Sequence, residues 1–429
     1  MQNKGPKLRR KIFYGWFVVA ISFTIMTIAY GVYLSWPVFY VAILAEFGWS
    51  RADTALIFSI GSIIYGLASP VAGFLFDKFG PRKLFIIAAI ILLVGTVGAS
   101  RSSTIYQFGI FYGIFIAFGT ICVGFVPHAA MISNWFTKKR GTALGIAQAG
   151  TRDAFLLAPL IQLAILAMGW RDSYLVLAAA VTFIIIPLSM FLRAKPQDMG
   201  LLPDGVSAIE YKGQRDKKQS EVDALIVDKT QASKQWTLLK AIRGYRFWAL
   251  FSIMFGAGFS FTSLINHFVA LTTDLGFSAI FAASLLTIYA VTGMIGRSCG
   301  FISDFIGREV AFTISIAITL LSLPLLFIIE DTSASWMLYL FIFCFGIGNG
   351  LVSPVYTAAA SDLYQGRQFG TIIGFANIGY GIAASLGTWL YGYIFDVTRT
   401  YTFAIVAAML GGALMVIAMW VAAPRHTRQ

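Results

Sequence analysis

Stretches of about twenty apolar residues, each closed by a short polar turn, recur through all 429 residues of this chain. Wound as an α-helix, such a stretch matches the ~30 Å hydrocarbon core of a bilayer. Within that core the backbone has no water to pair with, so only helices and closed barrels can cross it. Continuous runs of this length, rather than short alternating ones, select helices. The chain therefore reads as an all-α membrane protein with twelve transmembrane helices, near 14–44, 54–76, 84–100, 104–128, 141–168, 174–192, 247–271, 279–303, 310–329, 336–360, 370–395 and 401–423. Composition agrees: 12% of residues are charged, where a soluble chain has about 25%.

The net charge of +13 is a topology signal. Twelve crossings put both termini on one face, and that face collects 26 of the 32 Lys and Arg. Four lie opposite (Arg51, Arg101, Arg171, Arg399) and two, Arg152 and Arg297, fall inside apolar runs. Basic loops stay cytoplasmic, so both termini are expected inside a plasma (inner) membrane, and no nucleic-acid partner is expected. Lys4 to Lys11 leads into a long first span without a short apolar core and small-residue cleavage site, so no cleaved signal is expected. Cys122, Cys299 and Cys344 lie in apolar runs without metal-ligand spacing, so neither a metal nor a disulfide framework is expected. No cofactor is implied, and no nucleophile–base constellation suggests an enzyme.

The longest polar stretch, 193–246, divides the spans six and six. This gives an N-terminal bundle at 1–192, a cytoplasmic linker at 193–246 and a C-terminal bundle at 247–429. The halves resemble each other. Gly73-Phe74-Leu75-Phe76-Asp77-Lys78-Phe79-Gly80-Pro81-Arg82 matches Gly300-Phe301-Ile302-Ser303-Asp304-Phe305-Ile306-Gly307-Arg308 at an offset of 227. Phe118-Gly119 and Pro127 match Phe345-Gly346 and Pro354 at the same offset, while Gly48 and Ser50 match Gly276 and Ser278 at 228. Six spans between copies make this a parallel duplication, which predicts two bundles about an axis along the membrane normal with a cavity between them.

The paired Gly-x-x-x-Asp-x-x-Gly loops, the duplication and the basic linker resemble the major facilitator superfamily. Phe13-Tyr14-Gly15-Trp16, Ser35-Trp36, Phe47-Gly48-Trp49-Ser50-Arg51, Asn134-Trp135-Phe136 and Arg246-Phe247-Trp248 are similar to segments of bacterial monocarboxylate transporters and their oxalate/formate antiporter relatives. The resemblance implies that Asp77, Arg82, Asp304 and Arg308 brace a cytoplasmic gate, and that the arginine of span 8 meets the substrate. Three departures qualify it. Span 1 has no lysine past Lys11, and Gly293 stands where animal relatives have an aspartate before the arginine. Span 11 offers Asn377 where the oxalate/formate members have lysine. Arg297 precedes Gly300 by three residues instead of four, a rotation of about 100° on an ideal helix.

An arginine in a span costs a few kcal/mol and marks a functional-site hypothesis. Arg297 lies about 10 Å above Asp304 along its helix, and its planar fork fits a carboxylate bidentately. It reads as a substrate anchor, or else as a structural ion pair. Arg152-Asp153 lies about 16 Å into span 5 from Gly141. One reading pairs Asp153 with Arg297 until an anion displaces it and a proton follows; the other is a local charge pair. His267, near the outer end of span 7 and close to water, is a third proton-coupling candidate or a gating residue. Asn349, Asn377, Tyr289, Tyr380 and Gln148 are further polar residues that can line a cavity.

These features point to a secondary transporter, expected monomeric, moving a small monocarboxylate such as lactate or pyruvate together with a proton. The alternatives are an anion antiporter of the oxalate/formate type, an efflux carrier for an uncharged or amphipathic compound, and a non-transporting sensor on the same fold.

Overall fold

A computed structural model describes residues 13–136, 139–205, 236–364 and 369–422, excepting within them the side chains of Arg140, Arg152 and Asp153. Among the described residues, ten helices are long and apolar enough to cross a membrane: α1 Tyr14–Phe47, α2 Arg51–Arg101, α3 Ile105–Trp135, α4 Thr142–Phe191, α5 Tyr245–Asp274, α6 Ala279–Ile306, α7 Arg308–Ile328, α8 Thr332–Leu363, α9 Phe369–Thr398 and α10 Thr402–Ala422. Large apolar side chains such as Leu160, Phe183, Leu321 and Leu410 point outward, as lipid-facing surfaces require. The protein is a multi-pass membrane protein.

Two of these helices, α2 with 51 residues and α4 with 50, are each longer than two bilayer cores at 1.5 Å per residue. Each is broken by a glycine in a backbone conformation that other residues rarely adopt. Gly80 (φ 71°, ψ 169°) breaks α2 and Gly169 (φ 82°, ψ 164°) breaks α4. Gly307 (φ 92°, ψ 155°) makes the same turn between α6 and α7. Gly80 and Gly307 are copies in the internal repeat, as are Gly48 (φ 62°) and Gly276 (φ 88°). The duplication seen in the sequence is thus repeated in the backbone at the residues that permit it.

The third helix departs from the expected span at 104–128, running on to Trp135. It does so through a break at Val123 and Gly124, after which the chain restarts as a helix at Phe125. His128 lies there buried, its ring stacked 4.5 Å from that of Phe85.

Close helix approach rests on glycines, as in other membrane bundles. A Cβ on Gly98 would come 2.1 Å from the Phe111 ring, fixing α2 against α3. In the second half, α6 and α8 meet through Gly293, Gly296, Gly346 and Gly350. Cβ atoms on Gly296 and Gly350 would fall 2.2 Å from Ile347 O and 2.3 Å from Gly293 O.

The two halves of the chain touch along α2–α9 and α4–α6. Ser59 Oγ donates to Ser385 O at 2.7 Å, and Gly392 packs on the backbone of Arg51 and Ala52. Thr287 Oγ1 donates to Phe155 O at 3.4 Å. All of this lies toward the end bearing the 48–50, 275–278 and 399–401 turns, called here the outer end. Gly66 and Gly381 form the last close crossing of α2 and α9 on the way to the other end. Beyond it, Gly145, Gly370 and Gly374 face open space, and segment Arg140–Arg152 packs on α1 and α3 of its own half. The halves therefore diverge toward the end where 193–205 and 236–244 leave the bundle, and a cleft opens there.

Candidate functional site

Arg297 sits in the last turn of the Ala279–Ser298 segment of α6. The next residues, Cys299–Phe301, wind as a 3-10 turn, at about 120° per residue instead of about 100°. Of the three steps from Arg297 to Gly300 only the last lies in this turn, so it recovers roughly 20° of the rotation that the shortened spacing removes. Its Nη1 lies 3.7 Å from where a Cβ on Gly293 would stand. The guanidinium thus runs back along its own helix toward the outer end, over the space this glycine leaves.

About two helical turns above it, Tyr289 accepts a hydrogen bond from Asn349 Nδ2 at 2.7 Å. The pair joins α6 to α8, nearly buried, and Phe155 of α4 meets the Tyr289 ring edge-on at 5.8 Å. Within the second half the Tyr380 and Thr262 hydroxyls share a hydrogen bond of 2.6 Å, and within the first half those of Tyr30 and Tyr65 share another of 2.6 Å. Tyr33 stacks on Tyr65 with centroids 5.6 Å apart. One guanidinium together with neutral hydroxyl donors and acceptors suits an anion bearing further polar atoms.

Of the residues singled out from sequence, Tyr289 and Asn349 come together as described, and Tyr380 finds Thr262. Asn377 and Gln148 are exposed. Asn377 shares the stripe of Gly374 and Gly381 on α9, the face turned to the other half, and so lines the cleft wall. Arg152 and Asp153 stand where α4 passes from α-helix into the 3-10 stretch Asp153–Leu157; their side chains lie outside the described residues. Tyr30, Tyr65 and Thr262 were not anticipated, because an intramembrane tyrosine or threonine has no sequence mark to separate packing from lining.

The expected gate charges divide. Arg308 bonds Asp304 at 2.6 Å, Asp362 at 3.1 Å and Ser303 Oγ at 2.5 Å, tying the α6–α7 turn to the end of α8. Asp77 and Arg82 are exposed, and neither forms an ion pair among the described residues. The repeat explains this: the position matching Asp362 in the first half is Trp135, whose indole N–H donates to Arg193 O at 3.0 Å.

His267 is fully buried, which corrects the expectation that it lies close to water. It is covered because Tyr40 and Tyr401 close over it, with ring centroids at 5.2 and 5.6 Å. Its Nε2 lies 2.8 Å from Thr388 O and its Nδ1 3.2 Å from the Tyr401 hydroxyl.

Beside it is a cluster that sequence reasoning missed. Arg51 holds Asp274 bidentately, both contacts at 2.7 Å, and donates from Nη1 to the Tyr401 hydroxyl at 2.6 Å. Its guanidinium also lies 3.6 Å above the Phe395 ring. Asp396 accepts from the backbone N–H groups of Arg51 and Ala52 at 2.9 and 2.8 Å. One half thus caps the first turn of α2 in the other. A cavity of about 470 Å³ borders this cluster on the outer face, lined in part by Trp49, Arg51, Asp396 and Arg399.

Comparison with known proteins agrees with this architecture. The Major Facilitator Superfamily model matches residues 21–388 and 298–429. Monocarboxylate transporter 13 of Rattus norvegicus is 25% identical over 414 residues, 95% of this chain and 89% of that protein. Monocarboxylate transporter 2 of Homo sapiens is 27% identical over 420 residues, 94% of this chain and 84% of that protein. The crystal structure of a D-xylose-proton symporter superposes with a TM-score of 0.71 at 15% identity, covering 96% of this chain and 98% of that one; at that identity it speaks for the fold alone. The chain belongs to the Major Facilitator Superfamily of membrane transporters, and its curated relatives include monocarboxylate transporters.

Proposed function

We propose that this protein moves a small monocarboxylate, of the lactate or pyruvate kind, together with a proton by alternating access. In this reading the broken helices α2 and α4 count as two crossings each. That makes twelve spans in two six-helix bundles, 1–192 and 247–429, joined by a cytoplasmic linker at 193–246. Both termini are cytoplasmic, in the plasma membrane of the cell, and the carrier works as a monomer. Rocking of the bundles exposes the site to each side in turn. The observation that carries the reading is Arg297, a guanidinium that runs back along α6 over Gly293, below the Asn349–Tyr289 pair. Its fork takes the carboxylate; the hydroxyls of Tyr289 and Tyr380 and the amides of Asn377 and Gln148 lie on the path to it. One fixed anchor of this kind favours one carboxylate over two. Proton coupling falls to His267 and the Arg152-Asp153 pair, and the Asp304–Arg308–Asp362 contacts brace the cytoplasmic end.

The test is uptake of labelled L-lactate into proteoliposomes, with and without an inward proton gradient. Wild type accumulates label only with the gradient. Losing a charge-assisted hydrogen bond costs about 2–3 kcal/mol, so Arg297→Ala lowers uptake at limiting substrate about 30- to 150-fold. Full transport by Arg297→Ala overturns the anchor. Electrogenic counterflow without a pH requirement overturns symport in favour of exchange.

A further inference from the structure

The Arg51 cluster joins the two halves at their outer end, and one of its members can take a proton. Hydrogen-bond chemistry fixes where the protons stand. An arginine can only donate, so the Tyr401 oxygen accepts from Arg51 Nη1 at 2.6 Å. The carbonyl of Thr388 can only accept, so His267 Nε2 carries a hydrogen toward it at 2.8 Å. In a neutral imidazole that leaves Nδ1 bare, and it accepts the Tyr401 O–H at 3.2 Å. The chain runs Arg51 to Tyr401 to His267 to Thr388, every donor aimed at an acceptor, and it crosses from one half to the other at its first link.

We propose that this chain is a proton-released outer latch: a proton taken by His267 on Nδ1 opens the outer end of the carrier. The proposal rests on the proton-coupled reading above and adds the residue and the step that the proton controls. With Nδ1 protonated, the Tyr401 hydroxyl loses its acceptor, and two cations, imidazolium and guanidinium, converge on one oxygen. The Arg51–Tyr401 link is weakened, and with it one of the contacts that hold the first half against the α9–α10 turn, beside Asp396 on the Arg51 and Ala52 amides. The charged and titratable groups around His267 come from every neighbouring element: Tyr40 from α1, Arg51 from α2, Tyr391 and Asp396 from α9, and Tyr401 before α10, with Asp274 of its own helix joined through Arg51. Asp274 and Asp396 are already engaged by Arg51, through its side chain and its backbone respectively. They are therefore not free to receive the new N–H without releasing Arg51, and either response loosens the latch. The outer cavity bordering Arg51 and Asp396 gives water a place beside the cluster.

The test measures the outer distance directly in the full chain, in lipid nanodiscs and without substrate. Spin labels go on Ser103→Cys and Ser333→Cys, exposed outer turns of the two halves, in a background with Cys122, Cys299 and Cys344 replaced by alanine. Wild type shows a short distance at about pH 8 and a growing longer one toward about pH 5.5, the range in which histidine titrates. One linked proton changes the open-to-closed ratio by up to about tenfold per pH unit. His267→Gln keeps an N–H for Thr388 and an oxygen near Tyr401 but takes no proton, so it stays short at both pH values. Tyr401→Phe removes the relay while leaving Arg51 on Asp274, and its distances no longer follow pH. Arg51→Gln is long at both. A wild-type pH response in His267→Gln or Tyr401→Phe overturns the switch, and a short distance retained in Arg51→Gln overturns the latch. Because no substrate is present, failure of lactate uptake sinks the proposed function without touching these distances, and the reverse holds equally.

Discussion

At the scale of single residues, the strongest constraint is that buried polar groups need partners. Tyr289 and Asn349 satisfy each other across α6 and α8 at 2.7 Å. Tyr289→Phe leaves the Asn349 amide without that acceptor, at a cost of about 1–3 kcal/mol. Where the pair also meets substrate, this raises KM for uptake about 5- to 150-fold with protein levels maintained. Adding Asn349→Leu to Tyr289→Phe costs less than the two separate effects combined, since each alone removes the same contact. Uptake kinetics of the two single variants and the double variant check this, and strict additivity would show that the contact is incidental. Arg297 was legible from sequence because a charge in an apolar run is expensive wherever it sits. Arg51 was not. It occupies a turn where arginine is ordinarily solvated, and its partners Asp274 and Asp396 lie 223 and 345 residues along the chain.

Elements add what single positions cannot show, namely which glycines hold two helices together. A Cβ on Gly293 would meet only Gly346 O at 3.6 Å and Arg297 Nη1 at 3.7 Å, ordinary contacts. A Cβ on Gly296, one turn further, would fall 2.2 Å from Ile347 O, and backbone must move. Gly296→Ala should therefore destabilise the α6–α8 pair by about 1–3 kcal/mol, while Gly293→Ala stays near wild type. Thermal unfolding in one detergent separates them; equal melting temperatures would mean that α6 and α8 can part without loss. The sequence marked the turns at Gly80 and Gly307, because the loop motif there is duplicated, and marked Gly293 only as the position where animal relatives have an aspartate. It could not rank Gly293 against Gly296, since a glycine's importance lies in the backbone it faces. Nor did it reveal the 3-10 turn at Cys299–Phe301 just past Arg297, a local winding that residue types alone do not specify.

For the whole molecule, alternating access requires that contacts closing one end be absent when that end opens. Here the closed end is the outer one, and its contacts fall into two kinds: the charged cluster around Arg51 and the packing of α9 on α2. The packing is tightest at Gly392, where a Cβ would lie 2.7 Å from the carbonyl carbon and oxygen of Arg51. No side chain fits there while the end is closed, yet Gly392 lies away from the contacts within either half described above. Gly392→Val should thus leave each half folded and hold the outer end apart. Ser59 is the reporter, buried under the same crossing with its hydroxyl on Ser385 O. As Ser59→Cys in a background lacking the native cysteines, it should react slowly with a membrane-impermeant maleimide added from outside. With Gly392→Val also present, the labelling rate should rise at least about tenfold, the effect of tilting a two-state balance by about 1.4 kcal/mol. Unchanged chromatographic behaviour in detergent separates an open carrier from a misfolded one. A well-folded Gly392→Val protein labelled no faster than its parent would mean that the α2–α9 crossing yields without parting. The charged cluster would then be left as the barrier that the carrier has to undo on each cycle.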